Sequence, residues 1–596
     1  MLLARIDDLK SGRSFRFEDR VISLVASHLS EISEVLRAAE RYAADGNWVL
    51  GYVAYEAGAA FDDAFRVAPP DGTTPLARFD VFRTRCLVDG LDAAAPPKHR
   101  IDGLYRSAGT VPYPDAVEEI RRRIERGDVY QVNHTDRLEG TLQGEPFDLY
   151  VSMALAQRGA YNAYLDMGEQ VIVSASPELF LRWEGDTLTT KPMKGTVVRG
   201  RRRSDDEASR RQLVNDPKQR AENVMIVDLL RNDLSRVAEL GSVRVPRLFE
   251  PECYETVWQL TSTVQATARA GLTLADVMAA MFPCGSITGA PKAAAMAIIA
   301  GLEARPRGVY CGVIGVLSPP GQGPRAVFSV AIRTAVIDRA TRALTYGAGG
   351  GITWSSDPIA EDAEVEAKSR VLSERRPPMR LLETMHLGAT GVRNRNRHVE
   401  RVLASAAWFG FRIDPIELHR ALDSLGTPAD PCRVRVLVAR DGEISLETYS
   451  LGPAPLVVSL VLDRHVVRSD DVFCLHKTSN RSVYDAALAR NPDVDDVILV
   501  NERGEVVETT VANLLYRLGE QWFTPPLSSG GLDGIGRAVE VAEGRVIERV
   551  LFASETHLCD ELAVVSSLRG IRRAVLAGSE TAATTAATTT AGKAAS

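Results

Sequence analysis

The chain has 596 residues, of which 45% are apolar and 25% charged, and a formal net charge of -7. At roughly 150 residues per domain, that length predicts more than one independently cored unit. The balance is that of a soluble globular protein with no basic footprint, so no nucleic-acid partner is expected, and a small anionic substrate has to be held by local cations.

The opening "MLLARIDDLK" mixes charge with aliphatics too early for a secretion signal, and no apolar run reaches membrane-spanning length. A cytoplasmic protein with no membrane partner is expected. The seven cysteines, Cys86, Cys253, Cys284, Cys311, Cys432, Cys474 and Cys559, stand singly without zinc spacing and are expected to be buried reduced thiols. Strand-like runs such as "WVLGYVAYEAG", "NAYLDMGEQVIVSASPELFLRW" and "AVFSVAIRTAVID" alternate with helical patterns such as "PDAVEEIRRRIERGD". The strands come in hairpin-like runs, which predicts an α+β fold with largely antiparallel sheets.

Within this region "TTKPMKGTVVRG" places Lys191 and Lys194 around one proline. Upstream, "SASPELFL" puts Glu178 at the end of a strand, and a turn and a returning strand would bring its carboxyl to the same sheet end as the Lys194 amine. There an acid and a nucleophile face one substrate. The helix "DPKQRAENVMIVDLLRND" carries an apolar stripe of Val224, Val227, Leu230 and Leu234, with Lys218 and Glu222 sharing a face. "AEDAEVEAKSRVL" sets Glu361, Glu364 and Lys368 at helical spacing. Each of these charge clusters reads equally as a solvated face. Two such helices can instead hold a magnesium ion, which favours a few carboxylates together with substrate oxygens. "GSITGAPK" leads into a helix and "YGAGGGITW" lets backbone N–H groups approach a ligand, which suits a carboxylate. Neither is a Walker loop or a dinucleotide fingerprint.

Around "SRVLSERRPPMRLLETM" a charged helix stops at a proline pair and a fresh strand begins, which predicts a domain boundary. The expected division is 1–370, a linker at 371–380, a second domain at 381–576, and an Ala/Thr-rich tail at 577–596 that is expected to be disordered. In the second half, "RHVERVLASAAWFGF" reads as an amphipathic helix and "PCRVRVLVARDGEISLETYS" as a hairpin turning at Asp441–Gly442. Lys477 precedes a helical run, Arg401 offers a guanidinium fork for phosphate, Glu508 offers a partner for a protonated pyridine nitrogen, and "TPPLSSGGLDGIGRA" offers a glycine-lined helix start. A lysine, an acid and a phosphate site are what pyridoxal phosphate requires.

Taken in order, "GDVYQVNHTDRL", "SASPELFL", "KPMKGT", "DPKQRAENVMIVDLLRND", "FPCGSITGAPK", "VYCGVIGV", "VAIRT", "AGGGITW" and "SDPIAEDAEVEAK" resemble the chorismate-utilising enzymes over nearly all of residues 1 to 370. The resemblance implies an α/β sandwich of mainly antiparallel sheets. Lysine at position 194 is similar to the aminodeoxychorismate synthase branch; anthranilate synthases have a small residue there. It implies that Lys194 attacks C2 of magnesium-bound chorismate, that Glu178 protonates the departing C4 hydroxyl, and that ammonia then adds at C4. Glu222 and Glu364 would ligate Mg2+ with Glu361 helping through water. Thr288, Tyr310, Arg333, Lys368 and the amides around Gly349 and Gly351 would hold the substrate. Lys191 is expected to be solvated. Gln259 stands where many relatives place a histidine, and Gln131 where the water-adding enzymes use a lysine base. No glutaminase signature is present, so ammonia is expected from a separate glutamine amidotransferase subunit or from solution.

"LLETM", "KTSNR", "NERGEVVETTVANLL", "PPLSSGGLDGIGR" and "SSLRGI" resemble the fold type IV pyridoxal-phosphate enzymes over about residues 378 to 575, most of all aminodeoxychorismate lyases. That resemblance implies a two-part fold in which Lys477 carries the cofactor and moves the C4 proton of the bound amine as pyruvate leaves. Glu508 would face the pyridine nitrogen, and Arg401, Gly536 and Ser567 would hold the phosphate. Together the two halves imply 4-aminobenzoate, hence folate, synthesis. The alternative is an aminating enzyme whose second half is inactive, structural or aminotransferase-like and whose product feeds a specialised metabolite. A homodimer through the second half is a further expectation.

Overall fold

In the computed structural model, which describes residues 3–93, 97–107, 109–373 and 379–577, the chain separates into two compact units. One comprises Met1–Arg199 and Glu207–Pro378, the other Gly200–Asp206 and Met379–Ser596. Residues 374–378 of the predicted linker and 578–596 of the expected disordered tail lie outside the described residues.

The first unit is built on eighteen strands joined in one hydrogen-bonded network. Its strand pairs are antiparallel, as the hairpin-like sequence runs predict; Gln131–Gly144 against Ala343–Ile352 is one of the long ones. Its register sets Gly349 opposite Thr135 and Gly351 opposite Asn133. Apolar residues of alternating strands meet helices in two large cores, one around Phe79, Phe180 and Phe328, the other around Tyr150, Val173 and Tyr346.

Two helices of this unit carry site residues. Pro217–Ser235 starts after Asp216, whose side chain accepts from the Gln219 amide, and proline occupies its first turn, where no N–H is needed. Its buried face is Ile226, Val227, Leu230 and Leu234, while Val224, placed in the apolar stripe by the sequence reading, is 45% exposed. The stripe is rotated because Asn223 takes the inward position. Pro358–Ser369 is capped by Asp357, which accepts from Ile359 and Ala360 N–H groups.

The second unit holds a four-stranded antiparallel sheet and an eight-stranded mixed sheet. The predicted hairpin is present as Cys432–Val438 paired antiparallel with Ile444–Ser450, and the predicted amphipathic helix as Arg395–Phe409. Val457–Val467 pairs in parallel with both Asp496–Asn501 and Gly570–Leu576. The helix covers the four-stranded sheet through Val399, Val402, Ala406 and Phe409 against Leu381, Met385, Val434 and Val436.

Four cysteines are buried, but Cys86 and Cys559 are half-buried and Cys253 is exposed, so the expectation of uniformly buried thiols is corrected. Among the described residues, no helix is long and apolar enough to cross a membrane.

Candidate active sites

In the first unit a cavity of about 240 Å³ is lined by Glu178, Lys194, Glu222, Tyr310, Arg333, Gly349, Gly351, Glu361, Glu364 and Lys368. These residues come from stretches almost two hundred positions apart, and the sequence reading placed all of them in one site. Thr288, expected with them, is fully buried outside the lining, and its hydroxyl donates to the Cys284 carbonyl at 2.9 Å. It closes the turn before the helix Lys292–Leu302. Lys191 is also corrected: it pairs with Glu250 at 3.5 Å and with Glu252.

Lys194 enters the cavity because of an irregular strand. Met193–Val198 pairs with Val257–Thr267, and the register shifts between Met193 and Thr196. Gly195 sits inside that shift at φ +109, where an L side chain is strained, and a Cβ there would lie 3.1 Å from Leu260 and from Gln219. Such a bulge re-aims one side chain. The Lys194 carbonyl is fixed by Asn223, whose amide nitrogen also reaches Leu260 O at 3.2 Å and whose oxygen accepts from Ser262 at 2.6 Å. The amine lies 3.5 Å from a Glu222 carboxylate oxygen and 3.5 Å from the Gly351 carbonyl.

Glu178 stands between the strands Gln170–Ser176 and Leu179–Glu184. Burial pushes its carboxyl up to about 7, against hydrogen bonds from Ser286 and the Met193 amide and the charge of Lys194. One of its oxygens is buried with no hydrogen-bond partner, as is Oε1 of Gln131. A buried unpaired acceptor is costly unless a ligand or water satisfies it, and of the two only Glu178 lines the cavity.

Glu361 is raised by burial, while at Glu364 the Lys368 ammonium, 2.7 Å away, outweighs burial and holds the carboxyl down. Among the described residues, no three His, Cys, Asp or Glu side chains form a metal cage by themselves. Three carboxylates facing one cavity, each short of a full shell, fit a magnesium ion that completes its coordination with substrate and water. Arg333 lines the same wall with its backbone at φ 51. For an arginine that conformation costs about 1–3 kcal/mol and is characteristic of functional positions.

A smaller cavity of about 60 Å³ lies beside the first and shares Tyr310, Tyr346 and Gly347 with it. The Tyr310 ring packs on Gly347 so closely that a Cβ there would be 2.1 Å from a ring carbon.

In the second unit Lys477 follows the short helix Val472–Leu475, with its carbonyl accepting from Leu382 N at 3.1 Å. Burial and the Arg401 and Arg481 charges bring its amine down to about 8, against Glu383 and Glu508. Glu508 is buried and accepts from Tyr484 at 2.8 Å, from the Leu532 amide at 3.2 Å and from Asn513 at 3.1 Å. Burial nevertheless raises it to about 7. Arg401 forks onto Glu383 and gives a third N–H to the Asp533 carbonyl at 2.9 Å. That leaves two of its five N–H groups for a phosphate. Ser567 lies 2.8 Å from His398, and Gly536 is the second residue of the helix Ile535–Ala542, where a Cβ would be 2.8 Å from the Ser566 carbonyl carbon. A basic amine, a buried acid and a cation at a glycine-lined helix start suit pyridoxal phosphate.

Residues 92–374 match the chorismate binding enzyme family and residues 380–576 the amino-transferase class IV family. The chain is 41% identical over 263 residues to aminodeoxychorismate synthase component 1 of Klebsiella aerogenes, a match covering 44% of this chain and 57% of that protein. It is 32% identical over 368 residues to anthranilate synthase component 1 of Methanothermobacter thermautotrophicus, covering 58% of this chain and 75% of that one. The chain thus spans about half the length of the Klebsiella aerogenes relative and three quarters of the Methanothermobacter one. The fold is that of anthranilate synthase component I from Streptococcus pneumoniae, with a TM-score of 0.53 and 24% identity over 61% of this chain and 92% of that one. With this coverage, the chain belongs to the chorismate-binding enzymes, and it carries a class IV aminotransferase domain C-terminal to that fold.

Proposed function

We propose that the chain makes 4-aminobenzoate in two steps, aminating chorismate at C4 in the first unit and eliminating pyruvate from the product in the second. The observation that carries the first step is a lysine and a buried carboxyl held up to about 7 in one cavity. The curated relatives are named both aminodeoxychorismate synthase and anthranilate synthase, and Lys194 is the residue on which the amination reading rests.

Attack needs the free amine of Lys194. Its nitrogen bonds to C2 of the ring, the double bond shifts, and the C4–O bond breaks as Glu178 gives its proton to the departing hydroxyl, which leaves as water. Ammonia then adds at C4, the shift reverses and the Lys194–C2 bond breaks, so the lysine leaves unchanged. An acid held near neutrality is suited to this proton transfer. Glu222, Glu361 and Glu364 would hold the magnesium ion, which when bound neutralises substrate carboxylate charge. Arg333 and Lys368 supply further cations, and the Gly349–Gly351 edge lets backbone approach the ligand. Ammonia would come from a separate glutamine amidotransferase.

In the second unit, pyridoxal phosphate when bound supplies an electron sink at the amine carbon. Lys477, the basic group at this site, would take the C4 proton. Glu508 would hold the ring nitrogen, Arg401 and Ser567 the phosphate.

Incubating the purified chain with chorismate, magnesium, pyridoxal phosphate and ammonium, then resolving products by mass, tests the proposal. 4-Aminobenzoate with pyruvate supports both steps. Accumulated aminodeoxychorismate refutes the second, and anthranilate refutes the role given to Lys194.

A further inference from the structure

Beneath the phosphate-facing side chains of the second unit lies another layer of buried polar groups. Glu383, on the strand Leu381–Gly388, is 1% exposed. His398 and Arg401 are three residues apart on the helix Arg395–Phe409 and therefore share a face. Both reach the same carboxylate: His398 Nδ1 is 2.7 Å from Oε2, while Arg401 donates Nε to Oε1 at 2.8 Å and Nη2 to Oε2 at 2.7 Å. The other ring nitrogen of His398 is 2.8 Å from Ser567 Oγ.

One carboxylate thus ties together the two side chains assigned to the phosphate, Arg401 directly and Ser567 through a histidine that is itself fully buried. A carboxylate in that position is expensive unless paired. Burial raises it, but the Arg401 charge and the two hydrogen-bonding partners bring it down to about 2. The geometry has a directional result. The edge of the guanidinium formed by Nε and Nη2 is spent on Glu383 and one Nη1 hydrogen on Asp533 O, which fixes the guanidinium plane and leaves one N–H on each terminal nitrogen. A free arginine would pay rotamer entropy to present that pair; here it is already set.

We infer that Glu383 and His398 are positioning residues for the phosphate of the cofactor, Glu383 fixing the Arg401 fork and His398 fixing the Ser567 hydroxyl. The inference rests on the cofactor reading above.

The test uses the full chain stripped of cofactor, with pyridoxal phosphate and pyridoxal each titrated in by equilibrium dialysis and melting followed in parallel. Glu383→Gln and His398→Ala should each weaken pyridoxal phosphate by about 10-fold or more, the scale on which outer-layer partners act at metal sites, and leave pyridoxal within about two-fold. His398→Gln, which keeps a donor and an acceptor, should recover part of the loss and serves where a harsher variant does not fold. Equal weakening of both ligands, or unchanged affinity for pyridoxal phosphate, overturns the inference and leaves the cofactor site standing. A wild-type chain that binds neither ligand overturns the cofactor reading and this inference with it.

Discussion

The side-chain amide of Asn223 donates to the backbone carbonyl of Lys194 at 3.1 Å, from a position with no solvent exposure. Lys194 is therefore held at its main chain by Asn223, while its amine faces Glu222 and the Gly351 carbonyl, each at 3.5 Å. Replacing Asn223 with Ala leaves two buried carbonyls without this donor, at about 1–3 kcal/mol. We expect a fall in kcat for amination with little change in chorismate KM, checked by steady-state kinetics and by a lower Tm.

Lys194→Ala removes the proposed nucleophile and leaves every residue of the second unit unchanged. Amination of chorismate should fall to background, and pyridoxal phosphate binding should match wild type. Amination persisting in this variant would dispose of covalent catalysis by this residue.

Glu178 connects activity and stability through pH. Below its ordinary value of 4.5 the carboxyl is protonated whether the chain is folded or not; between there and about 7 only the unfolded chain loses the proton. Stability conferred by the neutral acid therefore declines as pH rises through that window and is fully lost above about 7. The rise from 4.5 to about 7 corresponds to roughly 3 kcal/mol at about 1.4 kcal/mol per pH unit. Glu178→Gln should melt above wild type at pH 8 and close to it at pH 5. Its amination rate should drop by about 10²–10⁴-fold, and the alkaline limb that the acid imposes on the wild-type rate profile should vanish.

Lys477→Ala should abolish retention of pyridoxal phosphate on gel filtration and leave chorismate amination intact, so that aminodeoxychorismate accumulates. Loss of amination as well would mean that the two activities are not separable.

Chelation should stop amination if Glu222, Glu361 and Glu364 act through magnesium. Treatment with EDTA followed by graded Mg2+ should restore the rate, while the second unit's affinity for pyridoxal phosphate stays constant throughout.

Much of the first site was legible because its residues sit in short ordered segments with distinctive chemistry, and "KPMKGT" and "SDPIAEDAEVEAK" delivered Lys194, Glu361, Glu364 and Lys368 to one cavity. Thr288 misled because a hydroxyl beside glycines reads the same whether it faces a ligand or closes a turn. Lys191 misled because its partners, Glu250 and Glu252, arrive from a distant strand. Asn223 and Ser286 were missed since an amide and a hydroxyl bonded to main chain or to another side chain leave no periodic signal. Glu383 was passed over for a related reason: an acid within "LLETM" looks like the polar phase of an ordinary strand. The spacing of His398 and Arg401 puts both on one helix face, but such a pair reads equally as a solvated face until the strand carrying Glu383 is seen to pack against it.

The contact between Tyr310 and Gly347 leaves no room for even a methyl group, and the ring stands between two cavities. Position 347 thus matters for the volume it does not fill. Any gain of size there has to be matched by a loss of size at 310, which yokes two otherwise independent sites of the chain into a single unit of evolutionary change.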